Sequence, residues 1–358
     1  MQAELIKWAE LITQLLPEWN HSRADADSEK QSFLKSVREI AVSEPDKTEQ
    51  IAKLQQLILE TVPDLHIQII NKKQSAGSKP FTEKSNLVWQ HKKLKQVLLF
   101  TMDNRKEPWM IATERVNGAS YGVVAIPSFG GKVNDEHRSA FVDCLMKEKN
   151  DKKWSAIIFD FRDNQGGDST IIKEIAERLS GETVRYADYT EVISYRDKQL
   201  SDTHRKILDN KEHTLNMPDF TCQSRSIDRF SGQIYVLQNQ KNASATEGAI
   251  YMLSQLPNCT IIGIPTKGAF QGGSTVVLPL NEIYDLVIGT EYRERFYQNG
   301  ADKGKAILEK KGMNPNVYST DSYFSAVKMI AQNGVLNQKQ QKMTVKQFVN
   351  FNRKGAYE

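Results

Sequence analysis

The sequence predicts an α/β protein, in which an α/β core follows an N-terminal helical subdomain and a small β subdomain. Three observations carry that reading. Residues 3–16 place Leu5, Ile6, Trp8, Leu11, Ile12, Leu15 and Leu16 at helical spacing, and two more helical patterns run from Glu29 to Val42 and from Thr48 to Val62. From Ile67 to about Val116 the pattern turns strand-like, with Val97–Phe100 and Trp109–Ala112 set among Lys, Asn, Gly and Ser. The middle of the chain then alternates strand and helix, as an α/β core requires.

The elements of that core follow one another closely. Tyr121–Pro127 reads as a buried strand, Glu136–Lys149 as a helix and Ser155–Arg162 as a second strand, with a helix from the glycines at 166 and 167 to Leu179. Later, Gly232–Gln238 is a strand, Ala245–Leu256 a helix and Cys259–Gly263 another strand. Ser194–Arg229 is polar and reads as an irregular insertion. The expected divisions are 1–65 helical, 66–118 β-rich, 119–325 the α/β core and 326–358 a C-terminal helical extension.

Composition narrows the partners. The chain has 358 residues and a formal charge of +4, with Lys and Arg spread along it and not gathered in a stripe, which speaks against nucleic acid. Cys144, Cys222 and Cys259 lie far apart, without a CxxC or a His at metal spacing, and read as ordinary thiols. The first residues mix charge into their apolar stretch, so neither a signal peptide nor a membrane anchor is expected there. The compartment stays open between the cytoplasm and, after removal of a signal, the periplasm or exterior.

Ser244 follows a buried strand and opens a helix, in Asn242-Ala243-Ser244-Ala245-Thr246-Glu247. Its hydroxyl can cap the first free amides of that helix, with Glu247 completing a capping box. Equally, such a turn presents the hydroxyl at the sheet edge, where a helix N-terminus favours developing negative charge. The segment Asp160-Phe161-Arg162-Asp163-Asn164-Gln165-Gly166-Gly167-Asp168 also joins a strand to a helix, and glycine permits the dihedrals that an amide donor to an oxyanion needs. It is also what a tight strand-to-helix connection needs.

Taken in order, these segments resemble the tail-specific (C-terminal processing) serine protease superfamily. Tyr121–Phe129 followed by Ile157–Gly167 is similar to its "Y-x-x-I-x-x-F … D-x-R-x-N-x-G-G" signature. Ser244-Ala245-Thr246-Glu247 resembles its "S-A-S-E" nucleophile segment, and Gly263–Gly268 its "G-E-x-T-x-G" loop. The resemblance spans roughly residues 50–320. It implies a crotonase-like ββα core and Ser244 as nucleophile, with no room for a separate PDZ-type domain.

The superfamily has a Ser/Lys branch and a Ser/His/carboxylate branch that includes the tricorn core protease. The lysine position of the first aligns with Ala269, and Lys267 is displaced by two residues. The second carries an "L-x-D-G-H-T" segment that Val62-Pro63-Asp64-Leu65-His66-Ile67 resembles, with Leu65 and Ile67 as departures. His suits proton transfer near neutrality. The other histidines, His21, His91, His137, His204 and His213, have no comparable setting. Glu309-Lys310-Lys311-Gly312-Met313-Asn314-Pro315-Asn316 resembles "E-G-x-G-x-x-P-D", with Lys310 and Asn316 as departures. The resemblance therefore implies Ser244, His66 and Glu309 as a triad, with the oxyanion held by the amides of Ala245 and of Gly166 or Gly167. It implies a peptide or protein substrate and calls for no cofactor, no metal and no membrane insertion. A non-catalytic binding protein on the same scaffold, as in the retinoid-binding relatives, is the alternative.

Overall fold

The computed structural model describes residues 2–16, 19, 25–62, 64–75, 97–100, 109–116, 118–130, 135–181, 184–192, 200–209, 215–222, 229–270, 275–289, 291–296, 303–307 and 309–319. The strands are β1 (Gln68–Asn71), β2 (Val97–Phe100), β3 (Trp109–Val116), β4 (Ala119–Ala125), β5 (Ala156–Asp160), β6 (Val184–Val192) and β7 (Leu215–Cys222), then β8 (Gln233–Gln238), β9 (Cys259–Gly263), β10 (Thr275–Pro279), β11 (Tyr284–Gly289), β12 (Glu291–Glu294) and β13 (Val317–Tyr318).

The central sheet has the order β13-β9-β8-β5-β4-β3-β2. Its strands run parallel from β13 to β4, and β3 and β2 continue it antiparallel. β5 is buried along its whole length, the continuous apolar run that a parallel strand covered on both faces shows. Ile157 and Phe159 join Val124, Val236 and Ile261 against the helices Asp135–Asp151, Thr170–Leu179 and Ala245–Ser254. Ala156 and Ile158 face the other way, with Val123, Tyr235, Leu237 and Ile262. Alternation along each strand thus divides one sheet between two apolar layers.

A second core lies at the N-terminal end. The helices Gln2–Leu15, Ala26–Ser43 and Lys47–Thr61 bring Trp8, Ile12, Phe33, Val37, Leu54 and Ile58 onto Leu278, Leu286 and Ile288 of the sheet β1-β11-β10. The helix Lys47–Thr61 is capped by the Asp46 carboxylate, which accepts the Glu49 N–H at 2.8 Å. Its far end delivers the chain to Asp64 and His66.

Two expectations need correction. The strands between 66 and 118 do not form one small subdomain, because β1 pairs with β11 while β2 and β3 extend the central sheet. A strand pattern reveals a strand and not its partner. Within Ser194–Arg229, expected to be irregular, lie the helix Asp202–Asp209 and β7, which pairs with β6. β7 contains Pro218, which reads as a break yet is tolerated on the edge of the sheet β12-β6-β7. The expected C-terminal extension, 326–358, lies outside the described residues, as do His21, His91 and His213. Among the described residues no helix is long and apolar enough to cross a membrane.

Candidate active site

Ser244 sits where the chain leaves β8 and enters the helix Ala245–Ser254, with φ 56° and ψ −129°. That backbone state is costly for a residue with a Cβ and persists only where neighbours enforce it. The Ser244 N–H lies 3.0 Å from the Ala269 carbonyl and 3.0 Å from Glu247 Oε2. Glu247 is fully buried, and its Oε1 accepts the Gly268 N–H at 2.9 Å and the Thr266 hydroxyl. Burial pushes the Glu247 carboxyl pKa up, against the pull of its hydrogen bonds from Thr266, Gly268 and Ser244. The Glu247 half of the expected capping box is therefore present, and it also fixes the neighbouring loop.

The glycine turn is built around Asn164, itself fully buried. Its Nδ2 donates to the Ile126 carbonyl at 2.9 Å, and its Oδ1 accepts the Gly166 N–H at 2.9 Å and the Thr246 hydroxyl at 2.6 Å. One side chain thus ties β4, the Gly166-Gly167 turn and the first turn of the Ser244 helix together. Asn242 adds a second tie through Nδ2 to the carbonyls of Phe161 and Asn164. Gly167 has φ 123°, and a Cβ there would stand 2.2 Å from the Phe129 carbonyl carbon, so only glycine fits. The Gly166 amide, one of the expected oxyanion donors, is thus taken by Asn164.

His66 follows the N-terminal helices. Asp64 Oδ1 accepts both the His66 backbone N–H at 2.7 Å and the ring Nδ1 at 2.8 Å. Asp64 is 2% exposed. His66 Nε2 is buried and meets no hydrogen-bond partner among the described residues. Burial works against protonation of the imidazole, but the Asp64 hydrogen bond and the charges of Asp64, Glu309 and Glu247 outweigh it and raise the pKa above 6.5.

Glu309 joins the two halves. Its Oε1 accepts the Leu65 N–H at 3.1 Å and its Oε2 the Phe270 N–H at 2.7 Å. A continuous hydrogen-bonded path therefore runs from Ser244 through the Ala269-Phe270 loop to Glu309 and on to Leu65, next to His66. The carboxylate that touches the ring is Asp64, which sequence reasoning did not single out. An available signal was the Asp-x-His spacing, since Asp side chains commonly bond the backbone two residues on. Donor atoms of Asp64, His66 and Glu309 lie within 4.8 Å of one another, a spacing that metal donors also show, but here the ring Nδ1 and the Glu309 oxygens are engaged with hydrogen-bond partners.

The four departures from the family pattern have structural roles. Leu65 contributes a backbone N–H, and Ile67 is buried in the N-terminal core. Lys310 reaches from its Nζ to the Leu59 carbonyl, 2.8 Å away at the end of the third N-terminal helix. Asn316 Oδ1 accepts the Ile261 N–H at 2.7 Å beside β9. At the lysine position of the Ser/Lys branch stands Ala269, 3% exposed, and Lys267 is exposed. His204 is tied to the Pro279 carbonyl at 2.6 Å, away from this constellation.

Residues 120–319 match the profile of peptidase family S41, which covers more than half of the chain. No curated protein sequence matches it significantly. A crystal structure of a candidate peptidase from Parabacteroides merdae resembles the fold with a TM-score of 0.59 at 15% identity, over 91% of this chain and 92% of that one. A lipoprotein from Streptococcus agalactiae gives a TM-score of 0.49 at 14% identity, over 93% and 96% of the two chains. For the photosystem II D1 C-terminal processing protease the values are 0.47 and 13%, over 89% and 92%. At these identities the likeness concerns the fold alone, and it is the profile match, carrying the Gly-Gly turn, the Ser244 elbow and Glu309, that decides the matter: the chain belongs to peptidase family S41, the tail-specific serine proteases.

Proposed function

We propose that this chain hydrolyses peptide bonds in a peptide or protein substrate through an acyl-enzyme, with Ser244 as nucleophile, His66 as general base and Glu309 as the carboxylate that joins their two segments. The observation that carries this reading is the hydrogen-bonded path from the Ser244 amide through Ala269 and Phe270 to Glu309 and Leu65. It ties the nucleophile's turn to the histidine's segment although the two are far apart in sequence.

In the forward step His66 Nε2 takes the Ser244 hydroxyl proton as Oγ attacks the scissile carbonyl. Negative charge develops on the carbonyl oxygen, and the Ala245 and Gly167 amides stabilise it. The imidazolium is favoured by the surrounding carboxylates and returns the proton to the leaving amine. Water then repeats the sequence on the ester. We assign the sheet from β13 to β4 with its helices to a crotonase-like core, in the 119–325 region, and the endopeptidase, tail-specific activity to this same site.

The test is labelling with a fluorophosphonate, which reacts readily only with an activated serine. The parent chain should label, and Ser244→Ala should neither label nor cleave peptides while keeping its thermal midpoint within a few degrees. Absence of labelling in the parent would favour the non-catalytic binding protein.

A further inference from the structure

We infer that Asp64, and not Glu309, is the residue that fixes the tautomer and orientation of His66, while Glu309 holds the two backbone segments of the site together. The inference rests on the reading of Ser244 and His66 as nucleophile and base, and it reassigns the third role.

Geometry separates the two carboxylates. Asp64 Oδ1 is 2.8 Å from the ring Nδ1 and already accepts the His66 backbone N–H at 2.7 Å. An oxygen so placed accepts, so the ring nitrogen facing it is the protonated one and Nε2 keeps its lone pair. That is the tautomer a general base needs. Glu309, by contrast, spends both oxygens on backbone amides, Leu65 on the histidine side and Phe270 on the serine side.

Burial supports the same division. Asp64 Oδ2 meets no hydrogen-bond partner among the described residues, although the side chain is fully buried. A half-satisfied buried carboxylate is a cost to the fold, so its presence is explained by the ring it touches and not by packing. Space for it is kept by Gly289 at the end of β11. A Cβ built there would stand 2.7 Å from Asp64 Oδ2, and among the described residues only the Asp64 carboxyl carbon joins it within 4 Å. Among the described residues Asp64, Glu309 and Glu247 are the acidic groups that act on the imidazole, and of these only Asp64 bonds it directly.

The experiment uses the full chain, a fluorophosphonate as probe of Ser244, and nitrogen NMR of the His66 ring. In the parent the ring should be the Nδ1–H tautomer. Asp64→Ala should label on the order of a thousandfold more slowly and show a tautomer mixture. Asp64→Asn should restore part of the rate, because an amide oxygen can still accept from Nδ1, with the acidic limb moved to lower pH. Gly289→Ala, which displaces the carboxylate without deleting it, should slow labelling in the direction of Asp64→Ala. Glu309→Gln should keep the Nδ1–H tautomer. Parental labelling by Asp64→Ala, or loss of the tautomer in Glu309→Gln alone, overturns the assignment. A parent that does not label overturns the hydrolase reading instead, and the NMR arm then decides the imidazole assignment by itself.

Discussion

Gly166 lies directly against Ser244: a Cβ on Gly166 would stand 2.9 Å from the Ser244 Cβ and 2.9 Å from the Ala243 carbonyl oxygen. Two turns from different βα units are thus in contact, each with positive φ, 112° at Gly166 and 56° at Ser244. Gly166→Ala combines a disfavoured backbone angle with that clash. It should cost about 2 kcal/mol or more in stability and remove labelling, as denaturant unfolding and the fluorophosphonate rate would show. A variant as stable and reactive as the parent would mean that the contact is slack.

The raised pKa of His66 has two pH consequences. Catalysis by a neutral base should rise with pH through a limb above the ordinary 6.5, and not at it. For stability, a group whose folded pKa exceeds its unfolded value contributes fully below the unfolded pKa, and the contribution fades as pH climbs through the folded pKa. The thermal midpoint of the parent should therefore fall, relative to His66→Gln, as pH rises above about 6.5. A limb and a stability difference centred below that value would contradict the charge environment of Asp64, Glu309 and Glu247.

Base identity can be read from two substitutions. Lys267 is exposed, and its N–H, which donates to the Asn242 carbonyl at 2.8 Å, survives truncation of the side chain. Lys267→Ala should keep labelling within about twofold, the small effect usual for surface changes. His66→Ala should reduce it on the order of a thousandfold or more. The reverse result would place the chain in the Ser/Lys branch.

Glu247 is the strongest candidate for a stability effect inside the site. Its carboxylate serves the Ser244 and Gly268 amides and the Thr266 hydroxyl together. Glu247→Ala would leave the Gly268 amide and the Thr266 hydroxyl without this acceptor and the Ser244 amide with the Ala269 carbonyl alone, at a cost of about 3 kcal/mol. Unfolding measurements should show this loss, and labelling should fall with it because the Ser244 backbone state is no longer enforced. An unchanged midpoint would show that water replaces the carboxylate freely.

Much of this was legible in the sequence. The strands of the core are continuous apolar runs, and the motifs that make Ser244, His66 and Glu309 candidates keep their order in the fold. What escaped was relational. The sequence could not show that β2 and β3 belong to the central sheet, because a period of two is the same whichever strand lies alongside. β7 was hidden by Pro218, which an edge tolerates, and by the polar segment around it. Asp64 lies in the motif that carries His66, but only the contact of its Oδ1 with the ring Nδ1 sets it apart. Gly289, near the end of a strand with no unusual φ, carries no local signal at all.

The path that joins Ser244 to His66 also joins two separately built cores, since the serine rides on the central sheet and the histidine on the segment that leaves the N-terminal helices. On the proposed chemistry, a chain whose α/β core has formed before those helices dock holds a shaped but powerless serine. Proteolytic competence would then require both cores to be docked, so that a molecule whose N-terminal helices are undocked could not digest its neighbours.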